Sequence, residues 1–540
     1  MSVFRTSFGE NLFRSKYAYT PGETWEQRAR TMVHAICSKH LNSSDYWQLF
    51  EYIRDMKFIP GGRYIYYSGR SIQYISNCFL LRAEHDTREE WSNIMERAAS
   101  CLMVGGGIGI DYSRIRPSGK RLRRTGGISS GPLSLMKIIN EIGREVMQGG
   151  SRRSAIYGSL LHTHEDIHKF LHIKSWDKLP VGYSGLSIGD IKREDFDFHA
   201  PLDMTNISVN YDNVLYESTP PDVFIENCKQ AMRTGEPGFS FNCGEKENET
   251  LRNACTELTS SDDSDVCNLG SINLSRITDL TEFKDVVWLA TKFLLCGTIV
   301  GDLPYEKVYR VRERNRRLGL GIMGLHEWLL KRGYNYSVPK ELHEWLHNYV
   351  VISKHSMVEF CNTHSISESK GIRAIAPTGT IGSMAGTTTG IEPIYSVAFK
   401  RRYLTKGNKR NYEYVVEPIA DYLIKEYGID PTKIETSIDL AKDWERRISV
   451  QKDIQAYVDH AISSTINLPA WGTEFNNESR VQDFAKTLWR YAPHLRGFTC
   501  YPDGSRGGQP LSSVPYQDAI KHKGVVFEEQ MTCAGGICSL

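Results

Sequence analysis

Apolar and polar positions change period several times along the chain, and the changes predict its elements. After Pro21-Gly22, the run Thr24-Trp25-Glu26 reads as a helix start. Apolar residues then recur at helical spacing through Met32, Val33, Ile36 and Leu41. Residues 1–60 are expected to be a helical region that serves packing. Pro60-Gly61-Gly62-Arg63 reads as a turn, Tyr64-Ile65-Tyr66-Tyr67 as a strand, and Ser76 to Leu81 as a short strand carrying Cys78. A helix then ends at Gly105-Gly106-Gly107, and a long helical pattern runs from Pro132 to Met147. Further on come a strand over 206–209, a helix over 221–233, a turn at Gly235 to Gly238, and strands over 267–274 and 465–469. The most apolar run, Val286 to Gly301, contains Lys292 between Asp285 and Asp302. It is too short and too charged to span a bilayer and predicts a buried helix. Strands separated by helices through the middle of the chain predict one large α/β domain with many parallel strands.

Composition narrows the class. The chain has 540 residues, of which 40% are hydrophobic and 24% charged, and its 66 basic and 64 acidic residues nearly cancel. That balance offers no electrostatic case for a nucleic-acid or membrane surface. No N-terminal stretch has the plan of a signal peptide, and the 12 cysteines point to a reducing compartment, so the expected address is cytoplasmic.

Candidate chemistry centres on Asn253-Ala254-Cys255-Thr256-Glu257. In extended backbone, Asn253, Cys255 and Glu257 share one face at roughly 7 Å spacing. They offer an amide to hold a hydroxyl, a sulfur that can react and a carboxylate that can take a proton. Gly126-Gly127-Ile128-Ser129-Ser130-Gly131 and Gly149-Gly150-Ser151-Arg152-Arg153 are Gly-rich loops that suit an anionic ligand or a solvated turn. Pro377-Thr378-Gly379-Thr380-Ile381-Gly382 reads as a loop opening a helix, either a plain cap or an anion site, without Walker spacing. Cys533 and Cys538, a C-x4-C pair close to Leu540, lack further zinc ligands nearby and read as a mobile dithiol. No metal site is expected.

Taken together, these motifs resemble the catalytic chain of ribonucleotide reductases. The resemblance rests on five separated pieces in order: Cys78 on an early strand, the Asn253/Cys255/Glu257 loop, Cys267, the turn from Pro377 to Ile381, and Cys533/Cys538. It implies an α/β barrel of ten strands with a central finger loop over residues 61–515, followed by a redox tail over 516–540. It implies that Cys255 becomes a thiyl radical that abstracts the ribose 3′-hydrogen. Glu257 would take the 3′-hydroxyl proton, and Asn253 and Ser76 would hold the substrate. Cys78 and Cys267 would supply a proton and two electrons and close to a disulfide. Cys533 and Cys538 would re-reduce it and be reset by a thioredoxin- or glutaredoxin-like partner. Pro377, Thr378, Gly379, Thr380 and Ile381 would carry the phosphates of a ribonucleoside di- or triphosphate. Gly126, Gly127, Ser129, Ser130, Gly149, Gly150, Arg152 and Arg153 would sense a nucleoside triphosphate effector. The other seven cysteines default to structural roles.

Three sequences, Cys267 to Leu274, Thr465 to Pro469 and Tyr501 to Arg506, match the cobalamin-dependent type, which implies adenosylcobalamin as cofactor. Ala254 and Thr256 depart from the proline and glycine of many members. The alternative is the large subunit of a two-subunit type fed by a metal-containing partner, and here the single tyrosine of Cys500-Tyr501 stands where that type has two. Monomer and homodimer both remain open.

Overall fold

The computed structural model describes residues 3–122, 126–146, 154–182, 185–195, 198–404, 410–505, 511–522 and 525–528. The periodic segments form as their sequences predict. Thr24 caps the helix Trp25–Cys37 through a capping box with Gln27, so two orphan amides are satisfied reciprocally. The apolar run lies in the helix Leu280–Val300. There Lys292 is nearly buried but paired, 2.9 Å from Asp45 and 3.0 Å from Glu359, which is how a charge persists inside a packed helix.

The sheet closes on itself. Strands β1 (Cys78–Arg82), β2 (Gly107–Asp111), β3 (Ile156–Leu161), β4 (Thr205–Tyr211) and β5 (Gly238–Phe241) run parallel in that order. Strands β6 (Asp265–Asn273) and β7 (Leu318–Met323) are parallel to each other. So are β8 (Thr465–Leu468) and β9 (Gly497–Pro502). Parallel bridges from Leu320 to Arg373 and from Ile375 to Ile462 join the two pairs through residues 372–376. Each half therefore has five parallel strands, counting residues 372–376 as one. The halves meet antiparallel where β6 pairs with β1 and where β9 pairs with β5. This is the expected ten-stranded α/β barrel. Phe58–Pro60 adds an antiparallel edge outside β6, and a separate four-stranded sheet contains Ala398–Leu404 and Arg410–Val416.

Alternation along the strands sorts the side chains. Phe79, Leu81, Ile108, Ile110, Val209, Phe239, Ile466 and Phe498 face outward into an apolar core shared with the helices Arg88–Met103, Asp222–Thr234 and Val481–Tyr491. A second core joins the N-terminal helices to the helix Leu280–Val300 and to β7. The intervening positions point inward. Cys78, Leu80, Cys267 and Leu269 pack there with Leu251, Leu258, Ala374 and Ala376.

Two local expectations fail. Tyr64-Ile65-Tyr66-Tyr67 is not a strand but part of the helix Gly62–Tyr67. Its aromatic and β-branched residues favour strands only where a pleated surface receives them, and Phe58–Pro60 already occupies the edge of β6. The helical turn instead seats the buried Arg63 against the carbonyls of Tyr74 and Val104, at 2.8 and 2.6 Å. The stretch 253–257 is also not extended, as described below.

The barrel centre is filled by the loop between β5 and β6, and Gly109 on β2 is what admits it. A Cβ built on Gly109 would sit 1.7 Å from the Arg252 carbonyl oxygen, closer than any side chain can yield. Gly109→Ala is expected to cost about 3 kcal/mol or more by overpacking, read as a lowered urea midpoint. Gly119→Ala, where φ is +82° in open space, should cost only about 1–2 kcal/mol of backbone strain.

Candidate active site

The loop inside the barrel is a short hairpin. Leu251–Arg252 pairs antiparallel with Thr259–Ser260, Arg252 facing Thr259, and residues 253–258 form the tip. The tip turns because the Thr256 amide donates to the Asn253 carbonyl at 3.0 Å and Thr256 takes φ +69°. Thr256 thus holds the left-handed conformation that glycine adopts freely. The Leu258 amide donates to Asn253 Oδ1 at 2.9 Å, closing the turn a second time. These bonds, internal to the tip, outweigh the extended conformation, so Asn253, Cys255 and Glu257 are gathered by a turn rather than set in a row. Arg252 anchors the root. It is fully buried and donates to Asn242 Oδ1 at 2.6 Å and to the carbonyls of Arg496 and Leu251 at 3.0 and 3.1 Å.

The structure brings together the residues the sequence singled out around this tip. Cys78 on β1 stands directly opposite Cys267 on β6 in antiparallel register. Directly opposed residues lie roughly 4.5–5.5 Å apart at Cα, within the span of a disulfide. Both are buried, while Cys255 at the tip is half-exposed. Glu257 is 1% exposed, and burial pushes its carboxyl up to about 7, with the Asn253 amide pulling the other way. Burial likewise raises the Cys267 thiol well above the ordinary range, and the neighbouring Glu257 and Asp265 add to the effect. Glu257 Oε2 and Asn253 Nδ2 are buried with no hydrogen-bond partner in the protein. A buried acceptor and a buried donor left open side by side suit a bound hydroxyl-bearing molecule.

The other expected residues are more dispersed. Thr378 sits at φ +50° ahead of the helix Gly379–Ala385, and its hydroxyl accepts from the Gly390 amide at 2.8 Å. Pro377 and Gly379 are exposed. This turn continues from Ala374 and Ala376, which pack against the finger. Ser76 is buried, and its hydroxyl donates to Asn268 Oδ1 at 2.9 Å. Gly126, Gly127, Ser129 and Ser130 lie in a turn closed by Leu122 N–H to Gly127 O at 2.7 Å and Ser129 N–H to Lys120 O at 2.7 Å. Gly126, Gly127, Ile128 and Ser130 are exposed, and Ser129 is buried. Gly149, Gly150, Arg152, Arg153, Cys533 and Cys538 lie outside the described residues. Of the cysteines assigned structural roles, Cys37, Cys101, Cys228, Cys296, Cys361 and Cys500 are buried and Cys243 is half-exposed. Sequence reasoning passed over Arg252 and Asn268. Each neighbours a recognised residue, but a lone arginine or asparagine carries no spacing signal.

A two-half α/β barrel threaded by a cysteine-bearing hairpin, with a facing thiol pair beside the tip, defines a thiol-based barrel enzyme. The family described as "Ribonucleotide reductase, barrel domain" matches residues 76–179, 213–357 and 363–494, and the chain belongs to that family. The chain is 27% identical over 596 residues to the vitamin B12-dependent ribonucleoside-diphosphate reductase of Mycobacterium tuberculosis (strain CDC 1551 / Oshkosh), covering 100% of this chain and 83% of the relative. It is also 27% identical to the protein of the same description from Thermoplasma acidophilum, covering 88% and 68%. A putative adenosylcobalamin-dependent ribonucleoside-triphosphate reductase of Mycobacterium phage D29 is 27% identical, covering 80% and 71%. Among solved structures, the alpha subunit of the Actinobacillus ureae class Id ribonucleotide reductase superposes with TM-score 0.71 at 17% identity, covering 92% of this chain and 97% of that one. That likeness is one of fold. Among the described residues, no helix is long and apolar enough to cross a membrane.

The Glu257 shift has a stability consequence. Burial pushes the folded carboxyl up to about 7 from the ordinary glutamate value of 4.5. The folded state therefore binds the extra proton between those values, and stability falls as pH rises through the window. Wild type should lose about 3 kcal/mol between pH 4.5 and 8 from this group. Glu257→Gln should lack that part of the slope, as measured by urea unfolding at both pH values.

Proposed function

We propose that this chain is an adenosylcobalamin-dependent ribonucleotide reductase, converting ribonucleoside di- or triphosphates to 2′-deoxyribonucleotides for DNA synthesis. The observation that carries the reading is one arrangement: an accessible Cys255 at the tip of a buried hairpin, beside the open polar atoms of Asn253 and Glu257 and the facing thiols of Cys78 and Cys267.

The roles follow from the chemistry of each group. A ribose 2′-hydroxyl does not leave readily from a neutral sugar, so a radical on the sugar is required. Cys255 takes the 3′-hydrogen as a thiyl radical and returns it at the end. Glu257, with its carboxyl near 7, is matched to accept and return the 3′-hydroxyl proton at neutral pH. Asn253 Nδ2 holds a sugar hydroxyl. Cys267 is kept protonated by burial, so it delivers hydrogen rather than acting as a free thiolate, and Cys78 opposite it supplies the second hydrogen. The 2′-oxygen leaves as water, the carbon gains hydrogen, and the two sulfurs join as a disulfide. Ser76 holds the substrate, and the amides of the turn from Pro377 to Ile381 hold its phosphates.

Adenosylcobalamin supplies, when bound, a carbon-centred radical by Co–C homolysis. The B12- and adenosylcobalamin-dependent relatives support that cofactor, and Cys255 is reachable while most described cysteines are buried. Thr465, Asn467 and Tyr501, inward-facing and accessible on β8 and β9, are the side chains that would face it. Cys533 and Cys538 would reset the Cys78–Cys267 disulfide and pass electrons from a thioredoxin- or glutaredoxin-like reductant. Gly126, Gly127, Ser129 and Ser130, with Gly149, Gly150, Arg152 and Arg153, would read a nucleoside triphosphate effector. The setting is the cytoplasm.

The test is deoxynucleotide formation from all four ribonucleotides at both phosphate levels, with dithiothreitol, with and without adenosylcobalamin. Turnover is expected only with the cobalamin, and Cys255→Ser should lower it by at least roughly 1000-fold while leaving nucleotide affinity intact. Activity restored instead by a metal-loaded second subunit would overturn the cofactor assignment.

A further inference from the structure

The root of the finger is held by a chain of side chains that reaches across the barrel. Thr259, opposite Arg252 in the hairpin, donates from Oγ1 to Glu249 Oε2 at 2.7 Å. The same Oγ1 lies 3.2 Å from His460 Nδ1. Glu249 is flanked by Arg317 at 3.3 Å and Arg496 at 3.1 Å. Burial pushes its carboxyl up, but the two guanidinium groups outweigh this and hold it at about 2. An ionised carboxylate only accepts, so the Thr259 proton is committed to Glu249 and His460 Nδ1 must be the donor to Thr259.

That assignment fixes the imidazole. His460 is buried, and burial with the nearby Arg317 pushes it down to about 3, so it is neutral with its proton on Nδ1. Its Nε2 has no partner and faces Gly371, where a Cβ would fall 2.5 Å away. Through its backbone, His460 donates to the Arg373 carbonyl at 3.0 Å, and the next amide, of Ala461, donates to the Glu257 carbonyl at 2.8 Å. One short segment thus grips the finger twice, by a side chain at Thr259 and by an amide at Glu257.

We propose that Thr259 and His460 are positioning residues, and that the relay Glu249–Thr259–His460 sets where the Glu257 carboxyl and the Cys255 sulfur stand in the barrel. The inference rests on the reductase reading above. Neither residue touches the reacting atoms; each acts through the finger. Displacing reacting groups by about 1 Å is enough to cost up to roughly 100-fold in rate.

Thr259→Val removes the hydroxyl and keeps the shape, whereas Thr259→Ser keeps the relay. Thr259→Val should lower kcat by at least about tenfold with KM within about twofold. It should also speed alkylation of Cys255 by iodoacetamide, followed by peptide mass spectrometry without any cofactor. Thr259→Ser should restore both. A folded Thr259→Val with wild-type kcat and alkylation rate overturns the proposal. If Thr259→Val does not fold, His460→Asn, which keeps a donor, is compared with His460→Leu, which has none, and equal behaviour of the two is the overturning result. Wild type without cobalamin-dependent turnover would sink the reductase reading alone, since the alkylation rates judge the relay independently.

Discussion

Everything at the centre of this protein depends on passing a polar peptide hairpin through the inside of a closed barrel. A buried backbone must find partners for its amides and carbonyls, and here they come both from within the hairpin and from far along the chain. The Arg252 guanidinium binds the carbonyls of Leu251 and Arg496, Asn253 Oδ1 takes the Leu258 amide, and the Glu257 carbonyl takes the Ala461 amide. Gly109 supplies the space, since the Arg252 carbonyl lies where a side chain would begin. With these backbone groups satisfied, the buried side-chain atoms of the tip left without a partner are Asn253 Nδ2 and Glu257 Oε2.

Burial then tunes the groups it encloses. The same desolvation lifts the Glu257 carboxyl into the neutral range and holds the Cys267 thiol protonated. A carboxyl that can exchange a proton near pH 7 sits beside a Cys267 thiol that keeps its hydrogen, and of the three cysteines around the tip only Cys255 is half-exposed. The inward faces of β3, β4 and β5 are polar as well, with Tyr157 bonded to Ser240 and Asn210 to Ser159. The barrel interior is therefore a lined site rather than an apolar core.

Much of this was legible along the chain. The capping residues before Trp25, the charged ends of the apolar run around Lys292, and the strands at 206–209, 267–274 and 465–469 form as their patterns predict, because each signal is local and repeated over several residues. The candidate site residues could be singled out because Cys78, Asn253/Cys255/Glu257, Cys267, Pro377 to Ile381 and Cys533/Cys538 stand in one order along the chain, a combination far more specific than any one motif. Tyr64 to Tyr67 misled, since strand preference there amounts to a fit with a sheet surface that other residues had already taken.

What the sequence by itself determined is the inventory: which residues can react, which segments are helices and strands, and that parallel strands alternate with helices. Only the tertiary structure decided how the inventory is assembled. It set Cys78 against Cys267, 189 positions apart in the chain (267 minus 78), folded Asn253 to Glu257 into a turn at Thr256, and brought Glu249, Arg317, His460 and Arg496 to one hairpin root. The reason is physical. Local preferences differ by about 1 kcal/mol per residue, while burying an unpaired polar group costs as much or more, so the partners found inside the barrel, within the tip and from distant segments alike, settle the conformation of the loop.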